Sequence, residues 1–109
     1  MAPTFEVKTV KGDLQAADTS RTILAAPSPT ERIRVFRVLY LSKTSAAQAL
    51  SLDIGNQNLL NLASSITAHQ PVDTGWLSGG IQGEAGKALV ATPAAAGPAG
   101  SFFVDYAIE

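Results

Sequence analysis

His69 and Asp73 lie four residues apart, and with a serine they supply the residue types of a nucleophilic triad, in which an imidazole takes the proton and a carboxylate orients the ring. The sequence has no Gly-x-Ser-x-Gly turn, the strained turn that lifts a serine out for attack, so His69 reads as a loop histidine. It is the only histidine and there is no cysteine, which excludes the usual zinc ligand sets. Asp53, Asp73, Glu84, Asp105 and Glu109 offer the oxygen ligands that calcium prefers, but without calcium-loop spacing they read as solvated carboxylates of turns and strands. Gly83-Glu84-Ala85-Gly86-Lys87 has glycines whose backbone can approach a phosphate, yet the Walker spacing is absent and no Ser or Thr follows Lys87. The segment reads as a turn into a strand. No catalytic residue, metal site or cofactor site is expected, and the chain is not expected to be an enzyme.

Two groups point to binding rather than reaction. Arg32 and Arg34 are two apart and project from one side of a strand, where planar guanidinium groups can hold the carboxylates of an acidic partner. Trp76, Tyr40, Phe102, Phe103 and Tyr106 could make a stacking platform for a sugar. Their places on or beside expected strands favour core packing, and Trp76 in particular is expected to lie at least partly in the core, with Gly75 permitting the turn before it.

The elements that would position these residues are strands. Phe5 to Val10 alternates apolar and polar, and Lys11-Gly12-Asp13 is expected to turn the chain; residues 1–10 could also be an N-terminal arm. Arg21 to Ala26 is a second strand, stopped by Pro27-Ser28-Pro29. The strongest runs from Arg32 to Ser42. Strict alternation puts Ile33, Val35, Leu39 and Leu41 on one face and Phe36, Val38 and Tyr40 on the other. Arg37 shares the first face and must be paired, placed at a rim or shifted outward by a bulge. If the first face is the core, Phe36, Val38 and Tyr40 need cover from another segment or from a neighbouring copy, and a subunit interface is expected there. Leu50 to Ile54 alternates cleanly into a hairpin turn at Gly55-Asn56-Gln57, while Asn58 to Ile66 suits strand and helical turn equally. Gln70 to Trp76 reads as a turn into an aromatic, Ser78-Gly79-Gly80 as a turn, Lys87 to Ala91 as a strand, Thr92 to Gly100 as a Pro/Ala/Gly loop and Phe102 to Ile108 as the last strand.

Residues 1–109 suit one domain, and a chain of this size buries about two-thirds of the surface it exposes when unfolded. With 46% hydrophobic and 16% charged residues there are few charges to cover the outside, so some apolar surface is expected to meet a partner. The net charge of −1 comes with scattered basic residues, which gives no footprint for nucleic acid. No apolar run approaches a membrane span, and the start of the chain has no apolar core of a signal peptide. A soluble protein assembled in a reducing cytosol is expected.

A turn, an aromatic anchor, a glycine-led apolar strand, an Ala/Gly/Pro loop and a terminal aromatic strand, all following a long central strand, resemble the small β-sandwich proteins of tailed bacteriophage virions. Within that group the order of strands and glycines from Ile33 onward is similar to that of the head decoration, or cement, proteins. The resemblance implies an all-β, single-domain antiparallel sandwich, jelly-roll-like, of about eight strands. It also implies a virion protein that binds the outer surface of the head, contacts the lattice of major capsid protein and stiffens it as a homotrimer. A carbohydrate- or receptor-binding module of a tail or fibre is the alternative, and it requires an exposed aromatic patch in the loops from Trp76 to Gly86.

Overall fold

The computed structural model describes residues 6–15, 17–43, 49–62, 71–93 and 99–109. His69 and the residues on either side of it lie outside this set, as does Phe5. The described residues form nine strands: β1 (Lys8–Leu14), β2 (Arg21–Leu24), β3 (Ile33–Ser42), β4 (Leu50–Ile54), β5 (Gln57–Leu62), β6 (Pro71–Asp73), β7 (Ile81–Gln82), β8 (Leu89–Pro93) and β9 (Gly100–Ile108). One sheet has the order β1-β9-β3-β6, with β7 also on β3, and the other has the order β2-β8-β4-β5.

All neighbours are antiparallel. The pairs β1:β9, β2:β8, β3:β6/β7 and β4:β5 are the rungs of one long folded-over ribbon. Rolling that ribbon brings β3 beside β9 in one sheet and β4 beside β8 in the other. This is the jelly-roll form of the β-sandwich, which buries one face of each sheet against the other. Between the sheets lie Leu14, Ile23, Ile33, Val35, Val38, Tyr40, Leu50, Leu52, Ile54, Leu89, Ala91, Phe102 and Val104. They come from alternate positions of their strands, as the pleat requires.

Three local readings of the sequence change. Lys11-Gly12-Asp13 does not turn; it continues β1, because Gly12 faces Ile23 of the other sheet so closely that a Cβ there would lie 2.6 Å from the Ile23 side chain. Lys8, Thr9 and Val10 accordingly belong to an edge strand that is laddered to β9. Pro71–Asp73 is a short strand rather than a turn, with Pro71 on the sheet edge where its missing N–H costs no ladder bond. Gln57–Leu62 is a strand, with Gly55 at φ 59° closing the hairpin from β4.

A fourth change, and the largest, lies in β3. Val35 pairs with Tyr106 and Arg37 with Asp105, so two steps along β3 match one along β9 and Phe36 is an extra residue. This β-bulge reverses the alternation. Ile33 and Val35 point inward before it, and Val38 and Tyr40 after it, at 1% and 0% exposure. The strict alternation expected from the sequence assigned Leu39 and Leu41 to the core face instead; both point outward.

Where β9 begins, Gly100 lies against Tyr40. A Cβ at Gly100 would stand 2.5 Å from the Leu41 carbonyl oxygen and 2.7 Å from the Tyr40 hydroxyl, and backbone cannot give way as a flexible side chain can. Gly100→Ala is therefore expected to lower stability by about 1–3 kcal/mol, the usual cost of overpacking. Urea denaturation measures this, and an unchanged midpoint would show that β3 and β9 separate there freely.

Candidate functional site

The outer faces of the two sheets differ in kind. On the β2-β8-β4-β5 sheet the outward residues include Thr22, Thr92, Ser51, Asp53, Asn58 and Asn61, with Val90 among them. Four of them satisfy one another: the Asn58 and Asn61 amides exchange hydrogen bonds of 2.8 and 3.1 Å, Asn58 donates to Asp53, and the Ser51 hydroxyl bonds Asp53 at 2.9 Å. This face is suited to water.

The outer face of the β1-β9-β3-β6 sheet is apolar at its centre. Registered rows run Thr9, Asp105, Arg37; then Lys11, Phe103, Leu39, Asp73; then Asp13, Ser101, Leu41, Pro71. Leu39, Leu41 and Phe103 form an apolar strip, with Leu41 38% exposed, and charges stand on its margins. Arg37 and Asp105 flank a shallow cleft of ≈ 190 Å³ floored by Leu39 and Phe103. Lys11 lies 5.9 Å from the centre of the Phe103 ring, within cation–π range.

Trp76 extends this face. Its ring stacks on Phe36 at 5.1 Å and 12°, and it remains 58% exposed. The bulge explains the seat, because Phe36 is the extra residue and its ring lies outside the inter-sheet core, beside Gly80 and the stem of Arg34. Gly80 has φ +72° and a Cβ there would lie 2.8 Å from Arg34, so glycine is required both for the turn and for the close approach. The loop is fixed to β3 by bonds from the Thr74 N–H to the Val38 carbonyl at 3.0 Å and from the Leu77 N–H to the Phe36 carbonyl at 2.6 Å.

Several sequence-predicted site residues fall elsewhere. Phe36, Val38 and Tyr40 were expected at a subunit interface. Val38 and Tyr40 instead form part of the core of their own subunit, because the bulge turns them inward, and Phe36 is covered by Trp76 of the same chain. A trimer closed through these three residues has no surface there to close on. Trp76 was expected in the core and lies outside it. Arg34 does not offer a free fork: its Nε and Nη2 donate to both oxygens of Glu109 at 3.0 Å each, and Nη1 donates to the Gly79 carbonyl. Arg32, exposed, donates to the Gly83 carbonyl at 3.2 Å. Both arginines tie the β3–β9 end of the sheet to the β7 region.

The five candidate cation ligands are spread over the molecule with separate partners: Asp53 with Ser51 and Asn58, Asp73 with Arg37, Glu84 with the Asn56 N–H, Asp105 with Thr9 and Glu109 with Arg34. No group of three metal-ligating side chains occurs among the described residues. The outward Leu39 and Leu41 are the functional candidates that sequence reasoning missed, and Phe103, read there as a stacking or core aromatic, lies beside them. The signal for them was Arg37, which strict alternation would have buried.

The ionisable groups show surface pairing. Hydrogen bonds from Arg37 and then from the Gly75 N–H hold the Asp73 carboxyl below its ordinary 3.8. The Ser101 hydroxyl does the same for Asp13, the Gln15 N–H and Arg21 for Asp18, and Arg34 for Glu109. Burial pushes the Tyr40 phenol up, and the Ser42 hydroxyl offsets part of this.

No protein-family model matches the sequence, and no curated protein sequence matches it. The fold has clear likenesses among solved structures. A chain in the acidic stable capsid structure of Helicobacter pylori bacteriophage KHP30 superposes with a TM-score of 0.61 at 14% identity, over 95% of this chain and 90% of that one. A chain of the cyanophage Pam1 capsid asymmetric unit gives 0.57 at 15% identity, over 98% and 91%. A chain of Bacillus endospore appendages, described as a novel family of disulfide-linked pili, gives 0.53 at 14% identity, over 94% and 86%. The chain thus shares its fold with proteins of phage capsids and of a pilus.

Two expectations follow from the site. Trp76 is the only tryptophan, so its emission should be red-shifted and readily quenched by acrylamide, and Trp76→Ala should cost about 0.5–1.5 kcal/mol, the worth of an aromatic pair, rather than the larger cost of a core deletion. A blue-shifted, quencher-resistant emission would put the ring inside. The lowered carboxyl values give stability that is complete above the unfolded-state values of 3.8 and 4.5 and lost as pH falls through the lower folded values. Thermal melts should therefore be flat from about pH 7 to about pH 5 and decline below about pH 4, with a small amplitude because these groups are exposed, and Asp73→Asn should shallow the decline. Loss of stability already at about pH 6 would point to another group.

Proposed function

We propose that this protein is a non-catalytic structural protein of a bacteriophage virion that binds the outer surface of the head and stabilises the capsid lattice. The observation that carries the reading is the likeness to the two phage capsid chains over at least nine-tenths of each partner. The surface supports it. A sandwich with one water-suited face and one apolar, charge-rimmed face is built to be held by other proteins, and hydrogen-bonded surface pairs account for the carboxylates that might have served chemistry.

The pilus likeness is the less favoured assembly, since disulfide linkage needs cysteines and this chain has none. A carbohydrate- or receptor-binding role on a tail has one observation in its favour, the exposed Trp76 stacked on Phe36. An aromatic face held rigid in this way suits the apolar face of a sugar.

The test is cosedimentation with the undecorated heads of its phage. A site shared by neighbouring subunits exists only after assembly, so saturable binding is expected to the closed lattice and not to free capsid subunits. Equal binding to unrelated particles, labelling confined to the tail, or glycan-array binding abolished by Trp76→Ala would each replace this reading.

A further inference from the structure

The apolar strip on the β1-β9-β3-β6 sheet carries its own complement. Take a two-fold axis lying on the face, parallel to the strands and midway between β9 and β3. Rotation about it sets β3 of a second copy over β9, and β6 of that copy over β1. Leu39 then meets Phe103 of the second copy, and the registered rows fix what meets at the margins. Lys11 faces Asp73 of the second copy, and Arg37 faces Asp105 of the second copy. The symmetry repeats each contact, giving four pairs of opposite charge around an apolar centre.

Other rotations lack this match. A two-fold axis across the strands, at the level of Phe103, would put Lys11 on Lys11 and Asp73 on Asp73, and would lay Arg37 over Leu41. Within each copy Arg37 donates two hydrogen bonds to Asp73, so the second copy meets this ion pair from outside: its Lys11 comes to the Asp73 carboxylate and its Asp105 to the Arg37 guanidinium, which makes a cluster of four alternating charges. Lys11 reaches Asp13 only at 4.0 Å, and Asp105, which accepts the Thr9 hydroxyl, has no cation within ion-pairing distance among the described residues. Beyond Arg37 the exposed Trp76 stands on the β6 side, where the second copy brings the start of its β1 and Val7, itself 42% exposed.

The geometry points to a symmetric dimer in which two copies pack these sheets face to face, with Lys11 opposite Asp73 and Arg37 opposite Asp105. Aligned sheets pack about 10 Å apart with strands within about 30° of each other, which keeps these long side chains in reach. Four strands about 4.8 Å apart and three outward rows about 7 Å apart offer roughly 400 Å² per copy. That is half of a standard interface of about 800 Å² per partner, so the dimer is weak and concentration-dependent. The pairing goes beyond the head-binding reading and is independent of it, since it is tested on the free protein.

Sedimentation velocity from about 1 µM to about 1 mM should show the unmodified protein passing from monomer to dimer, as a weak interface requires. Lys11→Glu and Asp73→Lys, each alone, place like charges together twice and should shift the midpoint upward at least about tenfold. Their equimolar mixture should recover the dimer, because a Lys11→Glu copy facing an Asp73→Lys copy has opposite charges at both places. Recovery also shows that both variants are folded. The unmodified dimer should weaken about tenfold or more between about 50 mM and about 500 mM salt, a readout that needs no variant. A monomer throughout, a closed trimer, salt-independent association, single variants that pair like the unmodified chain, or a mixture no stronger than its components would overturn the proposal.

Discussion

Between Val35 and Arg37 the ladder from β3 to β9 takes in one residue too many, and the rest of the structure depends on that step. Side chains on a strand alternate with a period of two, so an extra residue exchanges inside for outside for everything beyond it. Val38 and Tyr40 gain the core, where the Tyr40 ring lies 4.6 Å from Phe102, and Arg37, Leu39 and Leu41 are given to the surface. Without the bulge a guanidinium would lie between the sheets with the cost of an unpaired buried charge, or Tyr40 and Val38 would lie in water. The bulge thus solves the problem of Arg37 and creates the apolar strip in one move.

The same step makes the sandwich two-faced. A chain of 109 residues with few charges has to put apolar side chains somewhere outside, and among its described residues this one sets Leu39, Leu41 and Phe103 side by side on one sheet, while the opposite sheet presents mainly amides, hydroxyls and one carboxylate. Scattered singly, such residues would have no consequence. Gathered beside paired charges, they form an apolar surface of the kind that protein contacts use. The composition of the face is thus the feature of this sandwich that bears on assembly.

Much of the fold was legible because alternation is a strong signal where one face is buried. The strands at Leu50–Ile54, Arg21–Leu24 and Phe102–Ile108 follow from their patterns, and the proline and glycine punctuation gives the sandwich class. Side choice was not legible along β3, where Val35, Phe36, Val38, Leu39, Tyr40 and Leu41 are apolar on both faces and give alternation nothing to decide. Only Arg37 breaks the symmetry, and a partner, a rim position or a bulge would each accommodate it. Gly12 misled for a different reason: a glycine between Lys and Asp has the composition of a turn, while its actual role, making room for Ile23, depends on a strand of the other sheet. Trp76 failed similarly, since size argues for burial unless a neighbour provides an outer seat.

That seat is a second consequence of the bulge. On its free side β3 is paired by β6 at Leu39 to Leu41 and by β7 at Arg34 and Val35, so the two short strands are the ends of one edge strand interrupted in the middle. The interruption lies opposite Phe36. There the regular ladder is replaced by the Thr74 hydroxyl accepting from the Val38 N–H at 3.0 Å and by the bonds from the Thr74 and Leu77 N–H groups to β3 carbonyls. The edge chain detours outward over the extra residue, and Trp76 lies in the detour with Phe36 beneath it. A strand edge that ran straight would leave a row of unpaired backbone groups for any passing chain. Broken in this way, this edge of the sheet is blunted.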